Sequence, residues 1–246
     1  METVNSSQAH VGFGGKIRTA RLVGRRVRFL MDFEDESGPF TAHTNNTGTM
    51  LGLLRRGSEA LLSVSDAPGR KYACTVEALR LCGCREDFWV GVNTSLPTRM
   101  LRAAWEAGLL PECGGYTQFQ AEPRFAHGRL DARLSGPDGP GDELLVETKN
   151  VTLVEECVAQ FPDAPTERGR KHLVELMRLR QAGTRAALFF AVQRPDGECF
   201  GPADVVDPEY GELLRQAVAA GVEVWPFVVD VAEDGYRLGR RLTLAL

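Results

Sequence analysis

The chain has 246 residues, which is enough for one large domain or two small ones with a well-buried core. No apolar run approaches the roughly 20 residues that a membrane-spanning helix needs. The polar N-terminal residues also lack the charged-then-apolar pattern of a signal peptide, so we expect a cytoplasmic protein without a membrane partner. The net charge of −4 provides no general attraction to nucleic acid, and any such binding must depend on local basic patches.

The cysteines and histidines do not form a metal-binding motif. Six cysteines are scattered along the chain, and the one close pair, Cys82-Gly-Cys84, has no second Cys or His cluster at zinc-site spacing. The four histidines form no HExxH pattern. We therefore expect reduced, mostly buried thiols and neither a disulfide framework nor a zinc site.

The first part of the chain reads as a series of short strands. Residues Ala20–Phe33 alternate between polar and apolar side chains, with Gly24 suited to a bulge or a bend. Four further strands follow at short intervals: Phe40–Asn45, Glu59–Ser65, Tyr72–Cys82 and Phe88–Val92. Five short strands at this spacing predict a small β-barrel, closed or partly closed, over residues 1–92.

After Asn93 the pattern changes to mixed helix and strand, which predicts an α/β domain over residues 93–246. Helices are predicted at Pro97–Ala107 (capped by Ser95 or Thr94), Thr166–Gly183 and Pro208–Ala220. Strands are predicted around Thr117–Glu122, on both sides of a turn at 135–142, at Thr184–Gln193 and at Val222–Val231. The nearly all-apolar run at 184–193 is typical of a central strand that is buried on both faces.

The turn at 135–142 brings two carboxylates together. Positions 131 and 147 are symmetric about Gly139, so a simple antiparallel hairpin sets Asp131 opposite Glu147, with Cβ atoms about 5 Å apart. Lys149 lies two residues beyond Glu147, and strand periodicity puts it on the same face. Paired carboxylates suit an oxygen-ligated Mg²⁺ or Mn²⁺ ion. A solvated hairpin with an exposed ion pair remains the alternative.

The second helix has a basic face. Arg168, Lys171, His172 and Glu175 recur at i, i+3, i+4 and i+7, and such a face beside a metal site can contact phosphates. The alternative is an ordinary solvated helix face. Gly169 costs about 1 kcal/mol in helix propensity, so we expect a close backbone or ligand approach there.

Several segments resemble one known family. Val146-Glu-Thr-Lys-Asn-Val-Thr-Leu153 and Phe161-Pro-Asp-Ala-Pro-Thr-Glu-Arg-Gly-Arg-Lys-His-Leu173 strongly resemble the sugar fermentation stimulation protein A family. The similarity extends over almost the whole chain after about residue 14, and its further motifs are Asn46-Thr-Gly48, Arg70-Lys-Tyr72, Val92-Asn-Thr94, Gly115-Tyr116, Arg129-Leu-Asp131 and Ala187-Leu-Phe-Phe-Ala-Val192.

This resemblance implies an α+β protein: an N-terminal OB-fold-like barrel followed by a PD-(D/E)XK nuclease-like mixed-sheet domain. By the same resemblance, Asp131 and Glu147 are metal-binding carboxylates, Lys149 is the catalytic lysine, and the Thr148 carbonyl is a backbone metal ligand. Arg168 and Lys171 are matched to phosphate contacts. Glu122 and the Asn46-Thr47-Gly48 motif also match the family, without an assigned role.

The sequence is compatible with two functions. The first is a nuclease that depends on Mg²⁺ or Mn²⁺ and acts on DNA or RNA, with Arg26, Arg70 and Lys71 of the barrel on a binding surface. The second is a non-catalytic DNA-binding regulator of sugar metabolism genes that retains a nuclease-like fold. Retention of Asp131, Glu147 and Lys149 favours the nuclease, because a pure binding protein has no need for the carboxylate pair.

Overall fold

The computed structural model describes residues 8–83, 86–125, 128–137 and 141–246. Cys84 and the centre of the predicted turn at 135–142 lie outside the described residues. No helix in the described part of the chain is long and apolar enough to cross a membrane.

The N-terminal part forms a curled six-stranded sheet. Its strands are β2 (Lys16–Val27), β3 (Leu30–Asp35), β4 (Gly38–His43), β5 (Glu59–Val64), β6 (Cys74–Leu81) and β7 (Phe88–Gly91). The order is β4-β3-β2-β5-β6-β7, and a further pairing of His43 with Thr75 joins β4 to β6. The ring β2-β3-β4-β6-β5 is thereby closed around a core that includes Leu22, Phe33 and Leu62. This is the OB-fold-like barrel that the sequence predicts.

One predicted barrel strand is two strands. The run Ala20–Phe33 was expected to be continuous, but it folds back at Arg28-Phe29, where Val27 pairs with Leu30. Neither turn residue is a glycine, proline or asparagine, so the sequence carries no turn signal at this point. The expected irregularity at Gly24 is confirmed, because the register of β2 against β3 shifts between Leu22 and Gly24.

The C-terminal part is built on a seven-stranded mixed sheet in the order β1-β18-β17-β15-β12-β11-β8. Its strands are β1 (His10–Gly12), β8 (Gln118–Ala121), β11 (Ala132–Ser135), β12 (Glu143–Val151), β15 (Arg185–Val192), β17 (Glu223–Ala232) and β18 (Gly235–Arg241). β12, β15 and β17 are parallel neighbours, and the remaining pairs in this sheet are antiparallel.

Three helices cover this sheet in the described part of the chain: α1 (Leu96–Glu106), α2 (Glu167–Gln181) and α3 (Pro208–Ala219). One buried cluster joins α1 to one face of the sheet, and a second cluster joins α2 and α3 to the other. β15 contributes to both clusters, so the predicted central strand is confirmed. The helix bounds lie within two residues of those predicted.

A smaller sheet and a short hairpin complete the chain. The order β13-β14-β16-β19 forms the smaller sheet, with β13 (Leu153–Glu155), β14 (Val158–Phe161), β16 (Cys199–Pro202) and β19 (Thr243–Leu244). The hairpin is β9 (Arg124–Phe125) with β10 (Gly128–Arg129). This smaller sheet was not predicted from the sequence, because each of its strands has only two to four residues, too few to show an alternation of polar and apolar side chains.

The N-terminal segment crosses the predicted domain boundary. β1 lies within the range 1–92 that was assigned to the barrel, but it pairs with β18 in the C-terminal sheet. Three residues are too few to show a period, and their partner is more than 220 positions away, so local patterns cannot place them. The division between residues 92 and 93 otherwise stays a prediction.

Candidate metal centre

The β11–β12 hairpin brings Asp131 beside Glu147. Ala132 pairs with Val146 and Ser135 with Glu143, and extending this register by one residue sets Asp131 opposite Glu147, the arrangement predicted from the sequence. β11 begins only at Ala132, so the edge of β12 beyond Val146 has no strand partner on that side. The carboxylate of Asp131 fills this position instead of a main-chain carbonyl.

Asp131 binds the next residue of β12. Its Oδ2 accepts hydrogen bonds from the main-chain nitrogen of Thr148 at 2.7 Å and from the Thr148 hydroxyl at 2.8 Å. Burial raises the pKa of Asp131, the negative charge of Glu147 raises it further, and Lys149 with the two Thr148 bonds only partly opposes this. A cation at this point would therefore relieve a buried, weakly compensated negative charge.

Glu147 and Lys149 face helix α2. Alternation along β12 turns both side chains to the side of the sheet that α2 covers, and Lys149 Nζ lies 2.5 Å from Glu147 Oε1. His172 of α2 reaches the same carboxylate oxygen through Nδ1, and it lies 3.1 Å from Lys149 Nζ. The predicted placement of Lys149 on the face of Glu147 is thus confirmed.

The surroundings of Glu147 favour its ionised form although the side chain is buried. Burial acts to raise its pKa, but Lys149 and His172 outweigh this effect and the net pKa is lowered. The side chain is only 3% exposed. All its contacts use Oε1, and the second oxygen, Oε2, is buried without a hydrogen-bond partner. A buried, unpaired carboxylate oxygen is costly unless something binds it.

A cavity of about 380 Å³ opens over these residues. Asp131, Glu147 and Lys149 line it together with Arg168 at the start of α2. The predicted phosphate contact Arg168 is therefore at the site. Lys171, the other predicted contact, is not: it is 73% exposed, pairs with Glu167 at 2.6 Å, and lines a neighbouring groove.

The barrel also contributes to this cavity. Asn46, Thr47 and Gly48 lie between β4 and β5, and all three line the cavity. The guanidinium of Arg25 donates to the carbonyl oxygens of Gly48 at 2.7 Å and Asn46 at 3.0 Å. Gly48 N donates to the Asn46 side chain at 2.9 Å, which makes a tight turn. The unassigned Asn-Thr-Gly motif thus forms a wall of the candidate site.

The other predicted barrel contacts lie away from the cavity. Arg26 is paired with Asp32, Arg70 donates to Thr75 Oγ1 at 2.6 Å, and the Lys71 ammonium lies 5.5 Å from the Tyr72 ring centre. None of the three lines the cavity. They were selected because they are basic, and the sequence alone does not reveal which end of the barrel they occupy.

Two unexplained residues have structural roles. Gly169 is needed because an added Cβ would lie 2.6 Å from the Thr166 side chain and 3.1 Å from the Tyr210 ring. The expected close approach at Gly169 is therefore confirmed for protein atoms. Glu122 has a left-handed backbone (φ 50°), and its nitrogen donates to the carbonyl of Asp131 at 2.9 Å. It thus fixes the backbone of a site residue.

Three site residues were not assigned on the sequence. His172 was placed on the basic face, but not against Glu147. Asp163 lines the cavity and accepts from Met50 N at 2.8 Å, and Thr98 of α1 lies 3.0 Å from the Thr148 hydroxyl. Each comes from a different part of the chain. His172 and Asp163 lie within the family-like string at residues 161–173, whereas no sequence signal pointed to Thr98.

The donors present fit a divalent cation that prefers oxygen. No cluster of three or more His, Cys, Asp or Glu side chains suited to a metal occurs within the described ranges. Mg²⁺ typically takes one or two carboxylates and keeps several waters, so Asp131 and Glu147 suffice. The main-chain nitrogen of Thr148 points towards Asp131. Because the N–H and C=O groups of one strand residue point to the same edge of the strand, the Thr148 carbonyl also points to the edge where Asp131 lies. The unpartnered Oε2 of Glu147 is a further free donor.

The fold and the site together define a class. An OB-fold-like barrel is followed by a mixed sheet that carries Asp131 directly before β11 and Glu147 and Lys149 within the adjacent strand β12. This is a PD-(D/E)XK nuclease-like domain. The family model "SfsA N-terminal OB domain" matches residues 23–92, and "Sugar fermentation stimulation protein RE domain" matches residues 95–235. The chain belongs to the sugar fermentation stimulation protein A (SfsA) family.

Similar proteins cover nearly the whole chain. A "Sugar fermentation stimulation protein homolog" from Syntrophobacter fumaroxidans is 53% identical over 91% of this chain and 83% of its own. One from Maridesulfovibrio salexigens is 50% identical over 92% and 93%. The structure of Pyrococcus furiosus SfsA in complex with Ca²⁺ has a TM-score of 0.85 and 26% identity, covering 96% of this chain and 100% of that one.

Proposed function

We propose that the protein is a nuclease that depends on a divalent metal ion, Mg²⁺ or Mn²⁺, and acts on DNA or RNA. The observation that carries this proposal is the buried carboxylate of Glu147, whose Oε2 has no partner beside Asp131 and Lys149. Most buried polar atoms in proteins have a hydrogen-bond partner, and a bound ion is one physical explanation for a buried carboxylate oxygen that lacks one. The Ca²⁺ in the Pyrococcus furiosus structure supports a divalent cation in this family.

Each residue has a distinct role in this proposal. Asp131, Glu147 and the Thr148 carbonyl hold the cation, which when bound supplies Lewis-acid stabilisation of negative charge on the phosphoryl oxygens. Lys149 stabilises charge on the phosphoryl group and orients the attacking water. His172 positions Lys149 through its contact at 3.1 Å, and Arg168 neutralises an adjacent phosphate. Hydrolysis adds water to phosphorus and breaks one P–O ester bond.

The barrel supplies binding rather than chemistry. OB folds commonly bind single-stranded nucleic acid through basic and aromatic side chains, and this binding weakens steeply as salt is added. Here the barrel contributes the wall at Asn46–Gly48, which Arg25 supports from behind. Because the net charge is −4, affinity must come from such local groups.

Cleavage of labelled DNA and RNA with Mn²⁺, Mg²⁺ or EDTA tests the proposal. We expect metal-dependent cleavage that falls about 10²–10³-fold in Lys149→Ala. The exposed Lys16, at the start of β2, provides the matched control Lys16→Ala, which should cleave like the wild type. Binding without cleavage of every substrate would contradict the nuclease function and favour the DNA-binding regulator.

A further inference from the structure

The barrel loop from Asn45 to Met50, here called the strap, is tied to the nuclease-like domain at both ends. At its start, Asn45 Nδ2 donates to Asn93 Oδ1 at 2.6 Å, and Asn45 Oδ1 accepts from Thr94 N at 3.0 Å. At its end, Met50 N donates to Asp163 Oδ2 at 2.8 Å. The strap therefore spans from the residues before α1 to the loop before α2.

The middle of the strap forms part of the wall of the candidate metal site. Asn46, Thr47 and Gly48 line the same cavity as Asp131 and Glu147. The strap is held in shape from outside by the two hydrogen bonds from Arg25. Thr98 of α1 and Asp163 of the loop before α2 also line the cavity, so the strap, α1 and this loop together form its walls.

A surface groove along α2 adjoins the metal cavity at Arg168. This groove has a volume of about 770 Å³ and is lined by five Arg or Lys side chains and three Glu side chains. The five cationic residues are Arg129, Arg168, Arg170, Lys171 and Arg178, and among the described residues all of them except Arg168 form ion pairs with Asp or Glu side chains. Arg168 lines both the groove and the metal cavity, so the two are adjacent. A phosphate backbone that lies along α2 can thus reach the cavity at Arg168, and the strap forms another part of the wall of that cavity.

We propose that the strap restricts the site to single-stranded nucleic acid, whose backbone lies in the α2 groove and bends into the cavity. A duplex is a stiff rod with a persistence length of about 150 base pairs, so it cannot bend sharply into a walled cavity of this size. A single strand is flexible and can follow a basic groove. This inference rests on the proposed function and names its substrate class.

The test compares three labelled DNAs of one sequence in Mn²⁺: a single strand, a blunt duplex, and a duplex with a single-stranded tail. We expect cleavage of the single strand and of the tail, with the duplex cut at least about tenfold more slowly. Asn45→Ala removes the two side-chain hydrogen bonds at the start of the strap and keeps the bond from the Thr94 hydroxyl to the carbonyl of residue 45. It changes no residue that lines the cavity, and it should raise duplex cleavage relative to single-strand cleavage about tenfold.

Ser37→Ala is the matched control, because Ser37 is an exposed polar residue in the turn at the far end of β3. Its ratio of duplex to single-strand cleavage should equal that of the wild type. Equal cleavage of the duplex and the single strand by the wild type would overturn the strap inference and leave the nuclease proposal intact.

Binding in Ca²⁺ separates failure of the inference from failure of the proposed function. If no substrate is cleaved, the nuclease proposal fails, and the same three DNAs are compared by affinity. The strap inference is supported if the wild type binds the single strand more tightly than the blunt duplex and if Asn45→Ala reduces this difference in affinity. Equal affinity for the blunt duplex overturns it.

Discussion

The two carboxylates of the site have opposite electrostatic environments. Glu147 is held by two cationic or protonatable partners, Lys149 and His172, and its pKa is lowered despite burial. Asp131 is held by the neutral donors of Thr148, and burial together with Glu147 raises its pKa. One carboxylate is therefore already compensated within the protein, and the other is stabilised in its ionised form when a cation is present.

The Thr148 hydroxyl should control the pH range of metal binding. Thr148→Val removes a donor that favours the ionised form of Asp131, so the raised pKa of Asp131 should rise further. Because a metal binds only the ionised carboxylate, affinity is lost as pH falls, and the loss should begin at higher pH in Thr148→Val than in the wild type. Calorimetric titration of Ca²⁺ across a pH series measures this shift.

Thr98→Val provides the matched control. Thr98 contacts the Thr148 hydroxyl at 3.0 Å, but it makes no hydrogen bond to Asp131. Its pH profile should stay close to that of the wild type. An unchanged profile in Thr148→Val would show that the hydroxyl does not govern the ionisation of Asp131.

Helices α2 and α3 are joined at their N-terminal ends by one buried carboxylate. Asp207 caps α3 by accepting from Tyr210 N at 3.0 Å, and it accepts from Thr166 N, the cap of α2, at 2.8 Å. Arg170 donates to both of its oxygens at 2.9 Å. The start of α2, which carries Arg168 and His172, is thereby fixed relative to the sheet.

Replacement of Asp207 should destabilise the fold in a pH-dependent way. Burial acts to raise its pKa, but the bonds from Thr166, Tyr210 and Arg170 outweigh this, and the pKa is lowered from its ordinary value of 3.8. Its contribution is therefore present above the unfolded pKa and is lost as pH falls through the lower folded pKa. At pH 7 we expect Asp207→Ala to lower the free energy of unfolding by about 3–5 kcal/mol.

Urea unfolding at pH 7 and below pH 4 checks this expectation. The difference between Asp207→Ala and the wild type should narrow at the lower pH. Asp204→Ala is the control, because Asp204 pairs with Arg215 in the same region but is about half exposed. Asp204→Ala should lower the free energy of unfolding by no more than about 1 kcal/mol. A loss of stability for Asp207→Ala that is as small as for Asp204→Ala would contradict this role.

The barrel and the nuclease-like domain share a buried polar junction. Glu77 of β6 is 5% exposed, and its carboxylate accepts from Ser63 at 2.6 Å and from Asn93 at 2.7 Å. The hydroxyl of Tyr236, on β18, lies 2.9 Å from both the main-chain oxygen and a carboxylate oxygen of Glu77. Because the candidate site has walls from both domains, this junction also sets the shape of the site.

Removal of the Tyr236 hydroxyl should weaken the junction. Tyr236→Phe leaves Glu77 with one fewer donor, and we expect a loss of about 1–3 kcal/mol in the free energy of unfolding. Tyr210→Phe is the control: the Tyr210 hydroxyl is buried without a partner, so its removal should be neutral or stabilising. Thermal unfolding of both variants measures the difference, and equal effects would contradict the role of Tyr236.

Local signals predicted much of this molecule. Capping residues and glycines predicted the helix ends, and the apolar run predicted β15. The symmetry of the two strands about residue 139 predicted the hairpin register, which sets Asp131 opposite Glu147. These features depend on neighbours in the sequence. The Arg28-Phe29 turn was missed because it has no special turn residue, although it is local.

The remaining features depend on distant contacts. β1 pairs with β18 from the other end of the chain, the strap reaches Asp163, and His172 meets Glu147 only after α2 packs on the sheet. No periodicity encodes such contacts. Helix spacing puts Lys171 and His172 on one face, and the family resemblance singled out Lys171, but the structure brings His172 to the site while Lys171 pairs with Glu167.

The most direct test is calorimetric titration of Ca²⁺ into the wild type and Glu147→Gln at neutral pH. We predict that the wild type binds the ion and that Glu147→Gln weakens its affinity by about 100-fold or more. Glu36→Gln, an exposed position in the turn after β3, should bind like the wild type. Equal affinity in Glu147→Gln and the wild type would contradict a metal centre at Asp131 and Glu147.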